Sequence, residues 1–210
     1  MTAKYNTAQE EFWAGAFGND YVSRNESAEL LASNIALFAD IFSSVDIIPT
    51  SFLELGANIG MNIRALQGLT TGAAFTGIEI NHQACRVLAK TGCTVIESSI
   101  LDAAIAEQFD FVFSKGVLIH LLPEDLQHTY KRMHDWSKRF ILIAEYYNPH
   151  PVSISYRGND DRLFKRDFAG EFLDLFPDVK LRDYGFAYHR GTYPQDDITW
   201  FLLEKHSTAR

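Results

Sequence analysis

Cysteine is scarce: only Cys85 and Cys93 occur, with seven residues between them and no second close pair to complete a thiolate metal site. Two free thiols fit a reducing compartment. His82, His128, His134, His150 and His206 show no ligand spacing either, so no metal is expected. No uninterrupted apolar run approaches the ~20 residues needed to span a bilayer. A charged, apolar and small-residue leader pattern is also missing, and the expected location is cytoplasmic with no membrane partner. Basic residues are the minority: 19 Lys and Arg against 27 Asp and Glu leave a net charge of -8. That balance disfavours a grip on phosphate backbones or anionic lipid, so nucleic acid is not an expected partner. Repeats and low-complexity tracts are absent. What is present is 210 residues of 47% apolar content, enough for one domain with a large core. The 16 Phe and 9 Tyr exceed what a minimal scaffold needs and suggest rings lining a ligand pocket.

The apolar pattern alternates between strand and helix. From Ser27, residues Leu30, Leu31, Ile35, Phe38, Ile41, Phe42 and Val45 recur at helical spacing, and Pro49 closes the segment. Strands are predicted at 51–55, 74–80, 93–97, 109–113 and 139–145. Helices are predicted at 61–69 and 81–90, with another from Pro123, a residue suited to a first helical turn, to about Trp136. Such alternation implies a parallel sheet covered by helices on both faces, an α/β fold. Residues 146–166 break the rhythm with Pro149, Pro151, Gly158 and many charges, and read as a functional loop. A helix around 167–176 stopped by Pro177 follows. Then come two consecutive strands, 179–188 and 198–204, which suggest an antiparallel edge hairpin and bring the sheet to seven strands. The division expected is an N-terminal segment over 1–26, one domain over 27–205 and a frayed tail over 206–210.

In a parallel sheet, ligands bind beyond the carboxyl ends of the strands, and the turn after the first strand reads Glu54-Leu55-Gly56-Ala57-Asn58-Ile59-Gly60. Gly56 and Gly60 let backbone approach a ligand closely, and Asn58 is the non-glycine type best suited to positive φ. A dinucleotide fingerprint would need a small residue where Met61 stands, so a nicotinamide oxidoreductase fits poorly.

The turn resembles instead the E/D-x-G-x-G-x-G motif of class I S-adenosylmethionine-dependent methyltransferases, with Asn58 in place of the middle glycine. Ser114-Lys115-Gly116-Val117-Leu118-Ile119-His120-Leu121-Leu122-Pro123 is similar to the turn these enzymes place beside the sulfonium. The resemblance spans about residues 51–145 and implies the Rossmann-like class I fold with S-adenosylmethionine as cofactor. It implies that Glu54, Gly56, Ala57, Asn58 and Gly60 form the cofactor loop and that Glu79, followed by Ile80, holds the ribose hydroxyls. Ser99, with Asp102 as runner-up, and Ile100 would meet adenine, and Lys115 and Gly116 would flank the sulfonium.

Over nearly the whole chain there is a closer resemblance, to the pseudaminic acid biosynthesis-associated methylases. It rests on Glu10 to Tyr21 with Arg24-Asn25, on Tyr156-Arg157-Gly158, on Asp161 to Phe168 and on Asp196 to Lys205. It implies a sugar-type acceptor, a nonulosonic acid or nucleotide sugar bearing a carboxylate or phosphate. An aromatic N-terminal segment can fold over the cofactor, with Arg24 and Tyr21 at the methionyl carboxylate. Arg157, Arg162 and Lys165, with Tyr146, Tyr147 and His189, are the expected acceptor-binding groups. His120 and Tyr156 are the candidate catalytic residues, with His120 as general base, because a hydroxyl acceptor must lose a proton near the transition state. Alternatives of other classes are a non-catalytic cofactor-binding partner protein and a methyltransferase for a different natural product or protein. N- versus O-methylation and oligomeric state stay open.

Overall fold

A computed structural model describes residues 5–22, 26–156 and 159–206, giving only the backbone at 159–161. Nine strands and seven α-helices are present among them. Two short helices, α1 (Ala8–Ala14) and α2 (Ala16–Val22), precede the long α3 (Ala28–Phe42). Then follow β1 (Ser51–Leu55), α4 (Met61–Leu69), β2 (Ala74–Glu79), α5 (His82–Leu88), β3 (Thr94–Glu97), β4 (Phe109–Lys115), α6 (Pro123–Trp136) and β5 (Ser137–Glu145). The last elements are β6 (Val152–Tyr156), β7 (Asn159–Lys165), α7 (Phe168–Leu175), β8 (Val179–Ala187) and β9 (Ile198–Lys205).

Seven strands form one sheet in the order β3-β2-β1-β4-β5-β9-β8. The first five run parallel, and β9 is antiparallel to both β5 and β8. Period-two alternation explains why both faces are covered. In β1, Phe52 enters one core and Leu53 the other; in β4, Phe111 and Phe113 oppose Val112; in β5, Phe140 and Leu142 oppose Ile141. The Phe-rich face packs under α3 and α4 through Phe38, Ile41, Ile63 and Leu66, while the opposite face packs under α6 and α7 through Tyr130, Met133, Phe168 and Phe172. Local chemistry starts these helices: Ser27 Oγ accepts the Leu30 N–H at 3.0 Å, Pro123 opens α6, and Asp167 accepts the Gly170 N–H at 2.8 Å.

The seven-stranded, mostly parallel sheet with its antiparallel edge pair is the architecture expected from sequence. Two local readings are corrected. The helix expected to reach Val45 stops at Phe42, with the Ser43 N–H already bonded to the Ala39 and Asp40 carbonyls, although Val45 still packs against the core. The segment 146–166, expected to be a loop, carries the antiparallel β6–β7 hairpin, with Val152 opposite Lys165 and Ile154 opposite Leu163. Its β6 residues are largely solvent-exposed, so no buried apolar run marked it as a strand. No described helix is long and apolar enough to cross a membrane.

Candidate functional site

β1 lies between β2 on one side and β4 on the other, so the crossover direction reverses between β1 and β4, the place where an open α/β sheet leaves a crevice. A cavity of about 590 Å³ opens there, within the ~300–1,000 Å³ usual for small-ligand sites. Its floor is the strand ends and its roof is α1 and α2, which contribute Gln9, Glu10, Trp13, Gly18 and Tyr21.

Three residues of the turn after β1 have positive φ: Gly56 at 65°, Asn58 at 47° and Gly60 at 82°. A Cβ on Gly56 would also stand 2.8 Å from Val117. The turn is pinned to β2 by the Ala57 N–H on the Ile78 carbonyl at 2.9 Å. Gly56, Ala57 and Asn58 line the cavity, whereas Gly60 caps α4 behind it. Glu54 does not reach the lining. It is 1% exposed beneath the turn, where Asn62 Nδ2 donates to its Oε1 at 2.6 Å, and burial pushes its carboxyl up to about 8. Its role is to support the turn from below, a correction to direct ligand contact. Asn62 itself lines the cavity, and its buried Oδ1 has no hydrogen-bond partner.

Glu79 is in the lining at the end of β2 and accepts the N–H groups of Asn58 and Asn81, both at 2.7 Å. Burial raises its pKa against the lowering effect of those N–H donors. A carboxyl group has more acceptor positions than these donors fill, so capacity toward the cavity remains. Ile80, Ser99 and Ile100 continue the wall. Ser99 Oγ accepts the Leu101 N–H at 3.1 Å and donates to Glu10 on α1. Asn81 caps α5 by accepting the Ala84 N–H at 3.0 Å and holds the N-terminal helices by donating to the Trp13 carbonyl at 3.1 Å and Asn19 Oδ1 at 2.9 Å.

Beyond β4, half-buried Lys115 and Gly116 line the cavity, and a single 3-10 turn, Leu118–His120, presents His120. The His120 ring is 9% exposed, lies 4.7 Å from Trp13 and 5.2 Å from Tyr156 between centroids, and places Nδ1 2.7 Å from the Arg162 carbonyl on β7. A carbonyl only accepts, so Nδ1 carries the proton and Nε2 has the free lone pair. Burial lowers the imidazole pKa to about 4, keeping it neutral at physiological pH. Tyr146 and Tyr156 complete this end.

Four expected acceptor groups stand outside the described lining. Tyr147, 41% exposed, turns to the other side of the backbone from Tyr146 and packs on Phe201 at 5.9 Å. Lys165 Nζ sits 5.1 Å over the Tyr146 ring, and the Arg162 guanidinium 5.6 Å over Phe12. His189 pairs with Asp197 at 2.8 Å in the β8–β9 connection. Arg24 and Arg157 lie outside the described residues. Conversely, the cavity recruits Glu10, Asn62, Asn81 and Asp196, which sequence reasoning did not select as site residues. Only Glu10 carried a usable signal, the capping-box pattern Thr7-x-x-Glu10, realised with Thr7 Oγ1 accepting the Glu10 N–H at 3.1 Å.

Residues 53–139 match a family described as a methyltransferase domain. No curated protein matches the chain by sequence. Among solved structures the chain is similar to magnesium protoporphyrin IX methyltransferase from Synechocystis PCC 6803 with bound S-adenosylmethionine, at TM-score 0.69 and 11% identity over 98% of this chain and 100% of that one. It is similar to 1,6-didemethyltoxoflavin-N1-methyltransferase from Burkholderia thailandensis, at TM-score 0.67 and 14% identity over 98% and 94% of the two chains. It is also similar to the plantazolicin methyltransferase BpumL, at TM-score 0.65 and 12% identity over 95% and 94%. The strand order, the turn after β1 and these matches converge: residues 53–139 match a methyltransferase-domain family, and the chain has the Rossmann-like fold of class I methyltransferases.

Proposed function

We propose that the protein is an S-adenosylmethionine-dependent methyltransferase whose acceptor is a small polar molecule of the sugar type, a nonulosonic acid or nucleotide sugar. The observation that carries the catalytic reading is that one cavity joins the positive-φ turn, Glu79, Ser99 and His120. The sugar reading rests on the resemblance over Glu10 to Tyr21, Asp161 to Phe168 and Asp196 to Lys205. The solved neighbours are named for porphyrin, plantazolicin and toxoflavin chemistry, so the fold does not choose the acceptor.

The residues present fit the cofactor. The unpartnered, buried Asn62 Oδ1 is an acceptor suited to an ammonium group, and Gly56 leaves the turn without a side chain where backbone must come close. Gly56, Ala57, Asn58 and Asn62 would hold the methionyl part, with Tyr21 and Arg24 toward its carboxylate. Glu79 and Ile80 would hold the ribose, and Ser99 and Ile100 the adenine. When bound, S-adenosylmethionine supplies an electrophilic methyl group on a sulfonium whose leaving form is a neutral thioether. The protein therefore has no departing anion to stabilise, and positioning is its main contribution.

His120 is the group that takes up the acceptor's proton. Its Arg162 hydrogen bond fixes the tautomer, and Trp13 and Tyr156 hold the ring against the cavity. A base of pKa about 4 suffices, because a hydroxyl oxygen becomes strongly acidic as its bond to carbon forms. The roof of α1 and α2 excludes water. The test is a mass-spectrometric screen of nonulosonic acids and nucleotide sugars with S-adenosylmethionine. The expected result is the gain of one methyl group on a sugar acceptor with matching S-adenosylhomocysteine release. Binding of S-adenosylmethionine without methylation of any of them removes the sugar reading, and absence of that binding removes the methyltransferase reading.

A further inference from the structure

The charges around the cavity are unevenly settled. Among the described lining residues His120 is neutral, and the one Lys or Arg side chain is Lys115. It ends β4, half-buried, and its ammonium has no hydrogen bond or ion pair among the described residues. Burial lowers its pKa and the acids Glu54, Asp196 and Glu145 oppose that shift, but none of the three forms an ion pair with it. Glu145 Oε1 accepts from Ser114 Oγ at 2.6 Å and from the N–H groups of Val117 and Leu118 at 3.1 Å each. Glu79 takes two backbone N–H groups, and Glu10 takes Ser99 and its own helix cap. Glu54, behind the turn, is pushed to about 8 and holds its proton at neutral pH. Asp196 stands exposed at the rim without an ion pair to Lys115.

A cofactor with a sulfonium, an ammonium and a carboxylate brings net positive charge into the same cavity. Two cations sharing a partly desolvated space disfavour one another unless an anion joins them. The cations of β7 are outside the lining, Lys165 over the Tyr146 ring and Arg162 over that of Phe12. The acceptor is the remaining component.

We infer that Lys115 binds an anionic group of the methyl acceptor, a carboxylate or phosphate, and so selects acidic acceptors over neutral ones. This rests on the methyltransferase reading above and narrows its acceptor. It reassigns Lys115 from the cofactor, as the sequence implied, to the substrate: a strand-end ammonium beside the methyl-transfer end is placed to orient an acid whose nearby hydroxyl or amine reacts. A lysine, as a point charge with three donors, serves either anion without the planar match an arginine demands.

The test is calorimetric titration of the S-adenosylhomocysteine-loaded protein with pyruvate, methyl phosphate and the neutral methyl pyruvate. The wild type is expected to bind pyruvate or methyl phosphate at least about tenfold more tightly than methyl pyruvate, and the preferred anion identifies carboxylate or phosphate. Lys115→Met is expected to erase the preference and Lys115→Arg to keep it, with S-adenosylhomocysteine affinity within about twofold in both. Lys115→Gln serves as a second neutral variant. No anion preference in the wild type, a preference that survives in the neutral variants, or a loss of S-adenosylhomocysteine binding in both neutral variants overturns the assignment. The probes carry no sugar. If the preference holds while no sugar gains a methyl group, the sugar reading alone falls; if a sugar is methylated while the wild type shows no preference, the Lys115 assignment alone falls.

Discussion

His120 and Glu54 show how burial sets the chemistry of single residues here. His120 is depressed from its ordinary 6.5 to about 4 by desolvation, so only the unfolded chain binds its proton between those values. Its contribution to stability is therefore complete above about pH 6.5 and is lost as pH falls toward 4, at about 1.4 kcal/mol per pH unit at most. His120→Gln should lower turnover by roughly 10²-fold or more while leaving S-adenosylhomocysteine affinity nearly unchanged, and should remove an acid limb of the rate profile. Wild-type turnover at saturation in that variant would exclude His120 as the base. Glu54 has the opposite sign. Raised from 4.5 to about 8, it is favourable below 4.5 and costs stability as pH rises toward 8. Glu54→Gln keeps an acceptor for the Asn62 amide and has no proton to lose, so its stability should gain on the wild type by up to about 1.4 kcal/mol per pH unit over that range. Urea titrations near both ends of the range check this, and parallel wild-type and variant curves would refute it.

At the scale of elements, the informative unit is the α1–α2 roof. Its attachment to the sheet is polar and specific: Asn81 reaches the Trp13 carbonyl and Asn19, Glu10 meets Ser99, and Asn6 Nδ2 donates to Asp102 at 2.9 Å. The approach is close enough that a Cβ on Gly18 would fall 2.8 Å from Asn81 Nδ2. Asn81→Asp retains the α5 cap but removes both donated bonds and sets a carboxylate beside two acceptors. That should weaken cofactor binding by about 1–3 kcal/mol and speed amide exchange across residues 8–22. Exchange rates and calorimetry read the two effects; unchanged exchange in α1 and α2 would show that the roof is held by its aromatic packing instead. The β6–β7 hairpin is a second such unit. The sequence marked 146–166 as functional by its polarity, but not as paired strands, because β6 is mostly exposed and only single residues such as Leu163 and Tyr156 reach the core.

At the scale of the molecule, stability comes from a sheet buried on both faces. Phe52 is fully buried and stacks on Phe75 at 4.9 Å, with Phe42 and Phe111 at 6.2 and 5.5 Å. Phe52→Ala should cost about 3–5 kcal/mol, read as a lower urea midpoint with an unchanged slope; a loss under about 1 kcal/mol would mean the cluster collapses into the space. Most of the sheet was legible because its signal is local: the short apolar runs of β1, β4 and β5 and the glycines after β1 are properties of consecutive residues. The turn and Glu79 were legible for the same reason, as each ends a strand and so faces the cavity wherever the strand goes. Asn62, Asp196 and the latch from Glu10 to Ser99 were not, since they depend on where helices and loops separated by up to 89 residues come to rest. Nor could composition show that Lys165 sits over an aromatic ring outside the cavity lining while Lys115 lines the cavity with no hydrogen bond or ion pair among the described residues. The sequence by itself determined the order of strands and helices, the glycine turn and the chemistry available at the strand ends, because these follow from periodicity and backbone sterics. Which of those side chains share one cavity, which tautomer His120 holds, and which cation lines that cavity were decided only by tertiary packing, because burial and partners, not residue type, set charge and direction.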